Sequence, residues 1–380
     1  MSAPLRRLTI HHFRQRLARP ITTIMGPVTC RPALLLRIED SDGAHGWGEI
    51  WCNFPPDGDL HRKRLAANIL PAALAEADLS GGVFAALETR FRSLALQAGE
   101  PGPLAQVAAG ADIALCDLAA RRAGVPLAEW LGGERHAVPA YASGLSPDIW
   151  QDQLARMRDR GFAHFKLRIG FGAGDGLPVA RELHAVLRAG ETLRVDANQA
   201  WDIGTALARV PELEGMGLRW LEEPLPADAP PDHWRRLSAA TATPLAAGEN
   251  LRSRAAFLRM IDTGAVRVVQ PDICKWGGLS GGAEIARAAR AAGRLYCPHY
   301  LGGGVGLMAS AHLLSAVGGD GLLEVDSSDN ILGAALAAHD GRLTDGLFSL
   351  PGEPGLGYDP DLGCVSDLRV DHIGIDIGRG

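Results

Sequence analysis

Apolar positions recur with two different periods along the chain, and the change between them divides the sequence. Residues 8–50 carry strand-like bursts, LTIHHFRQRL and then PALLLRIEDSDGAHGWGEI, with Ser-Asp-Gly supplying the turn chemistry. This pattern predicts a hairpin or meander. From 60 to 130 the spacing turns helical: over 106–122 apolar residues return every three or four positions, until Gly124 and Pro126 stop the run. A β-then-α module of this kind predicts a separate α+β lobe over residues 1–130.

From about residue 137 the texture changes. Eight short β-like runs, AVPAYAS, HFKLRIG, LRVDAN, LRWLEEP, PLAAGE, VRVVQPD, RLYCPH and GLLEVD, alternate with amphipathic stretches such as 147–160 and 279–292. Strand then helix, repeated in this way, predicts an α/β fold of the (β/α)8 TIM-barrel type over 131–330.

Position adds a second argument. Lys166, Asp196, Glu222, Glu249, Asp272, His299 and Glu324 each end one of runs two to eight, at intervals of 30, 26, 27, 23, 27 and 25 residues. Acidic residues also favour helix N-termini, which would explain one of them. Seven ionisable residues in successive units would instead converge on the C-terminal mouth of a barrel, where barrel active sites lie.

Composition narrows the partner. The 380 residues are 47% hydrophobic and carry 38 Lys+Arg against 44 Asp+Glu, a formal charge of -6. That is enough apolar content for a large core and too little basic charge for a phosphate-binding face, so a small molecule, not nucleic acid, is the expected partner. Cys30, Cys52, Cys116, Cys274, Cys297 and Cys364 form no C-x-x-C pair, which fits a reducing cytoplasm. The arginine-rich first 20 residues lack the apolar core of a secretory signal. The longest uncharged run, 295–319, is broken by Pro298, His299, His312 and six glycines, so no membrane span is expected.

Three successive strands end in carboxylates: Asp196 in VDANQ, Glu222 in WLEEP and Glu249 in AAGEN. Carboxylates facing one point repel unless a cation sits among them, and hard oxygen ligands suit one Mg²⁺ per site better than zinc. Proton-transfer chemistry flanks the trio. Lys166 and Arg168, two apart on one strand, share a face; on the other side His299 follows Asp272, and a carboxylate beside an imidazole fixes its tautomer and raises its basicity. Lys166 and Arg168 could equally neutralise an acidic barrel end.

VDANQAW, EEP, GEN, QPDICKWGG, CPHYLGGGVGL and LLEVD together resemble the motif set of the mandelate racemase branch of the enolase superfamily. The resemblance spans nearly the whole chain. It implies an N-terminal capping domain over 1–130, a barrel over 131–330, and a segment 331–380 returning to the cap. It further implies Asp196, Glu222 and Glu249 as Mg²⁺ ligands, Asp272 and His299 as a base dyad, and Glu324 as the acidic hydrogen-bond donor to the substrate carboxylate. A proton α to a carboxylate is a very weak acid, and such a set opposes charge where the enediolate develops. A homo-oligomer, dimeric or octameric, is likewise implied.

Glu223, on the opposite strand face from Glu222, is expected to make a supporting salt bridge instead of binding metal. Lys275 resembles the sixth-strand lysine base of the muconate lactonizing branch, but Asp272 holds the place where that lysine would belong. Where many relatives carry Lys-x-Lys, this chain has Lys166-Leu167-Arg168, and a guanidinium is a poor proton acceptor at neutral pH. One strong base remains. Dehydration of an aldonic or aldaric acid to a 2-keto-3-deoxy acid is therefore the leading expectation, with a racemase or epimerase of a 2-hydroxy acid as the alternative. The resemblance puts substrate choice in capping loops 21–29 and 51–55, where Trp51 and Phe54 either wall a pocket or pack the lobe against the barrel and Gly26 leaves space; Asn198 is a further expected substrate-binding residue. The Gly302-Gly303-Gly304 run is expected to be a tight turn near His299 more than a phosphate cradle.

Overall fold

The computed structural model describes residues 3–76, 82–171, 173–337 and 342–378. Three antiparallel strands, β1 (Leu5–Thr23), β2 (Gly26–Asp40) and β3 (His45–Ile50), open the chain. Helices α1 (Gly58–Glu76), α2 (Val83–Ala98), α3 (Pro101–Ala123) and the short α4 (Leu127–Trp130) follow. α3 stops where Gly124 adopts a left-handed conformation (φ 71°), as the sequence predicts.

α3 is the one described helix long and apolar enough to cross a bilayer, but 83% of its apolar window is buried, so it serves as core. β3 lies directly on it. A Cβ at Gly46 would meet the Ala114 carbonyl oxygen at 2.1 Å, and one at Gly48 the Gly110 carbonyl oxygen at 2.0 Å. Glycine here permits close backbone approach, not an unusual φ. Gly48→Ala is therefore expected to destabilise the protein by about 3 kcal/mol, since the atoms in the way are backbone and cannot rotate aside. An unchanged urea midpoint would contradict this packing.

The eight strands and intervening helices of the second region run β4 (Val138–Leu145), α5 (Trp150–Asp159), β5 (His164–Arg168), α6 (Leu177–Ala185), β6 (Thr192–Asp196), α7 (Ile203–Leu213), β7 (Leu221–Glu222), α8 (Pro231–Ala239), β8 (Leu245–Ala247), α9 (Arg254–Asp262), β9 (Val266–Val269), α10 (Gly278–Ala291), β10 (Leu295–Tyr296), α11 (Gly304–Val317) and β11 (Leu323–Asp326). Neighbours from β4 to β10 pair in parallel and β11 pairs with β4, giving the enolase-like barrel. Among the described residues no ladder joins β10 to β11. The uncharged run 295–319 resolves into β10 and the buried α11.

Beyond α12 (Ile331–Leu336), a small hairpin of β12 (Leu343–Thr344) and β13 (Leu347–Phe348) pairs antiparallel with the start of β4. The last strand, β14 (Arg369–Asp376), returns to the cap and pairs with β1, so that sheet runs β14-β1-β2-β3. Buried carboxylates fasten cap to barrel. Asp112 on α3 accepts hydrogen bonds from Ser280 Oγ (2.6 Å) and the Ser280 amide (3.0 Å) on α10. Glu49 at the end of β3 accepts the Gly303 and Gly306 amides at 2.5 and 2.9 Å.

His312, fully buried on α11, accepts the Ala128 amide at Nδ1 (3.2 Å) and donates from Nε2 to the Leu356 carbonyl (3.3 Å). Burial lowers its pKa to about 4. The unfolded value is near 6.5, so the unfolded chain binds the proton first. Stability is full above pH 6.5 and falls by up to about 3 kcal/mol as pH drops toward 4. Urea midpoints at pH 7 and pH 5 should show this loss, and His312→Gln should shrink it.

Candidate active site

Five of the seven residues, Asp196, Glu222, Glu249, Asp272 and His299, lie at or just past the ends of β6 to β10, while Lys166 and Glu324 lie within β5 and β11. All seven are buried, at 9% exposure or less. The register puts Lys166 and Arg168 on one face of β5, with Arg168 beside Asp196 on β6.

Lys166 Nζ is the hub. It contacts Glu222 Oε1, reaches Glu324 Oε1 at 2.7 Å and lies 3.7 Å from Asp196 Oδ2. Burial alone would lower its pKa, but these carboxylates hold it well above the usual lysine range. In this arrangement Lys166 is a fixed ammonium, not a base.

Glu222 Oε2 also accepts Gln270 Nε2 at 2.8 Å and Trp220 Nε1 at 3.0 Å. Burial, helped by the Asp196 and Glu324 charges, pushes Glu222 up to about 7 despite Lys166. Burial and the neighbouring Glu249 charge likewise raise Asp196. Glu249 is the exception: His299 and Lys275 outweigh its burial and hold it well below the usual range. Its Oε2 contacts His299 Nε2 and takes Lys275 Nζ at 3.1 Å, while Oε1 accepts Asn250 Nδ2 at 2.7 Å.

His299 Nδ1 lies 2.8 Å from Asp272 Oδ2, and Asp272 Oδ1 accepts the Cys274 and Lys275 amides at 2.9 and 3.1 Å. A carboxylate so anchored fixes the Nδ1–H tautomer and leaves Nε2 as the reactive nitrogen. Burial opposes the imidazolium, yet Glu249, Glu324 and the Asp272 hydrogen bond raise its pKa to about 10.

Glu324 accepts from three donors. Ser143 Oγ (2.5 Å), Lys166 Nζ (2.7 Å) and the Tyr300 amide (2.9 Å) all donate to it. Despite complete burial, the Lys166 and His299 charges hold its carboxyl below the usual range. Glu223 departs from expectation. Among the described residues no cation lies within ion-pair distance of it; Asn250 Nδ2 donates at 2.7 Å, and burial holds its carboxyl well above the usual range.

Among the described residues no three Asp, Glu, His or Cys side chains converge as a ready-made chelate. Asp196, Glu222 and Glu249 instead turn toward Lys166, Lys275 and His299. Their chemistry nonetheless fits a hard divalent cation: buried oxygens only, with mutual repulsion that raises Asp196.

Above the mouth lies a cavity of about 290 Å³, closed on the cap side by Ile21–Met25 and Val28 and by Trp51, Asn53 and Phe54. Residues 21–29 are not a free loop; they are the paired strand ends of the β1–β2 hairpin, Ile21 to Val28 and Thr23 to Gly26, closed by a turn at 24–25. Trp51 and Phe54 pack at 6.0 Å between ring centroids, and Lys275 Nζ sits 4.8 Å from the Trp51 ring centre. Asn198, Asp196, Glu249, Arg168 and His299 line the barrel side, and Lys166 does not. Gly26 does not line the cavity either. It closes the hairpin at φ 103°, a conformation that disfavours side chains, so its role is the turn. The Gly302–Gly306 segment packs tightly, since a Cβ at Gly303 would lie 2.5 Å from Glu49 Oε1, which fits the turn expected there. The sequence reading missed Arg31, Asn53 and Asn250 and set Lys275 aside. Of these, only Arg31, a charge beside the apolar run PALLL, left a local signal.

Residues 6–132 match the mandelate racemase / muconate lactonizing enzyme N-terminal domain, and residues 150–363 match the enolase C-terminal domain-like family. The chain is 27% identical over 378 residues to D-galactarolactone cycloisomerase of Agrobacterium fabrum, covering 95% of this chain and 97% of the relative. It is 32% identical over 293 residues to L-talarate/galactarate dehydratase of Salmonella typhimurium, covering 74% and 71%. Among solved structures, a mandelate racemase/muconate lactonizing enzyme from Bordetella bronchiseptica superposes with a TM-score of 0.87 at 45% identity, covering 97% of this chain and all of that one. L-Talarate dehydratase from Polaromonas sp., complexed with Mg and L-glucarate, gives 0.83 at 28% identity, covering 99% and 100%.

Proposed function

Since the chain belongs to the mandelate racemase / muconate lactonizing enzyme family of the enolase superfamily, we propose that it is a Mg²⁺-dependent acid-sugar dehydratase that converts an aldonic or aldaric acid to its 2-keto-3-deoxy acid. One observation carries this reading: of the proton acceptors lining the cavity only His299 is oriented by a carboxylate, Asp272, whereas Lys275 Nζ is an ammonium paired with Glu249 at 3.1 Å. His299 faces it, Lys166 lies beneath it tied to Glu222 and Glu324, and Arg168 offers a guanidinium. Two-base racemisation would require Lys166 or Arg168 to give up its proton. A relative named as a dehydratase supports the reading, as does the neighbour holding Mg and L-glucarate.

Asp196, Glu222 and Glu249 would hold the cation, which when bound neutralises the substrate carboxylate and acidifies its α proton. The remaining work falls to the chain's own residues. With Glu249 committed to a cation, His299 Nε2 loses the partner that props up its proton, so the imidazole is freed to act as base. Asp272 keeps Nδ1 protonated and the ring oriented. Nε2 takes the α proton, Lys166 offsets the charge growing on the carboxylate, and the imidazolium returns its proton to the departing β-hydroxyl. Base and acid on one residue imply syn elimination. Tautomerisation of the enol then gives the 2-keto product.

The test is proton NMR in D₂O with Mg²⁺ and a panel of aldonic, aldaric and simple 2-hydroxy acids. Signals of a 2-keto-3-deoxy acid are expected. Deuterium entering the α position with only a stereoisomer formed would replace dehydration by epimerisation.

A further inference from the structure

We propose that Arg31 and Arg168 form a second anion subsite in the cavity, and that the substrate is therefore a diacid, an aldaric and not an aldonic acid. This deepens the reading above and rests on it for the position of the first carboxylate. Arg31 comes from β2 of the cap and Arg168 from the end of β5, and both line the same cavity. Arg31 is 6% exposed. Its terminal nitrogens reach the Leu301 carbonyl (3.1 Å), Asp326 Oδ2 (2.8 Å) and Ser328 Oγ (3.1 Å), while its Nε is buried without a partner. Among the described residues nothing lies within hydrogen-bond or ion-pair distance of the Arg168 guanidinium.

A buried guanidinium, Arg31, beside a half-buried one, Arg168, on the wall of one cavity is costly unless an anion joins them. Among the described residues Asp326 is the one carboxylate within ion-pair distance of Arg31, and it leaves the pair with excess positive charge and unused donors. The other acidic groups nearby are committed: Asp196 and Glu324 to Lys166, and Glu249 to Lys275 and His299. An aldonic acid brings one carboxylate, which the metal end consumes, and its far terminus is a neutral hydroxymethyl. An aldaric acid brings a second planar carboxylate, the shape a guanidinium fork binds in two hydrogen bonds.

Matched substrates differing only at the far carbon test this: galactarate, galactonate and 6-phosphogalactonate, with the corresponding gluco series. The diacid is expected to show a kcat/KM about 100-fold above the aldonate, the value of charge-assisted hydrogen bonds to one carboxylate. Arg168→Gln and Arg31→Gln should each cut that ratio about 10-fold, by losing more on the diacid than on the aldonate. Arg168 has no protein partner to lose, so its variant remains informative should Arg31→Gln fail to fold. Equal turnover of aldonate and aldarate, a preference for the phosphorylated acid, or a ratio unchanged in both variants would overturn the subsite while leaving dehydration standing. If no compound is turned over, calorimetric titration of galactarate against galactonate decides separately. Tighter diacid binding, lost in Arg168→Gln, supports the subsite, and equal affinities overturn it.

Discussion

His299→Asn is expected to fold normally and to lose both dehydration and exchange of the α proton with D₂O, by about 10³-fold or more. The asparagine amide can still donate a hydrogen bond to Asp272 but cannot hold a proton at the Nε2 position. The loss should fall on kcat more than on KM, because the imidazole acts on the proton and not on the substrate's grip. Asp272→Asn should follow the same direction more mildly, since Asp272 orients the ring across 2.8 Å and touches no substrate atom in the scheme above. If α-exchange persisted at the wild-type rate in His299→Asn, the base would have to be sought on the opposite wall, and Lys166 or Arg168 would regain the role that their contacts argue against.

Metal removal is expected to have an effect of similar size. Chelation should reduce turnover by about 10³-fold, and Mg²⁺ should restore it, because several kcal/mol of charge stabilisation is withdrawn at once. A readout independent of turnover exists. Asp196, Glu222 and Glu249 repel one another in a buried space, and a cation that binds the folded chain alone should add about 2.7 kcal/mol of stability at a hundredfold excess over its Kd. Asp196→Asn should abolish the rise in Tm with Mg²⁺. A Tm indifferent to Mg²⁺ in the unsubstituted protein would place the cation elsewhere.

The part of this site carried by the barrel was legible in the sequence because a barrel turns linear spacing into convergence. One ionisable residue per βα unit, from Lys166 to Glu324, is a one-dimensional pattern with a single three-dimensional outcome once the strands are parallel. Strand length was less visible: β7 and β10 have two residues each, bounded by Pro224 and Pro298, although their apolar runs read longer. What the sequence hid lies between lobes. Arg31 and Ser328 stand 297 residues apart and meet only because the cap sits on the barrel mouth. The same holds for Glu49 and Gly303, 254 residues apart. Periodicity describes a face and a period; it does not say which distant face will cover it. Glu324 illustrates another limit. Its position was readable, but its ionised state depends on Lys166, Ser143 and the Tyr300 amide, a neighbourhood that no spacing encodes.

The pairing of the first strand with the last also constrains how the protein is made. β1 is flanked by β2 on one side and by β14 on the other, in a register that joins Arg7 to Asp376 and Phe13 to Arg369. During synthesis β2 and α1–α3 emerge soon after β1, whereas β14 emerges only after the whole barrel. For nearly the whole of translation β1 therefore presents an unpaired hydrogen-bonding edge, the kind of surface that templates intermolecular pairing. The nascent cap must wait with an open side while the entire barrel is built, and sheet closure over that side is the event that ends its exposure to neighbouring chains and to chaperones.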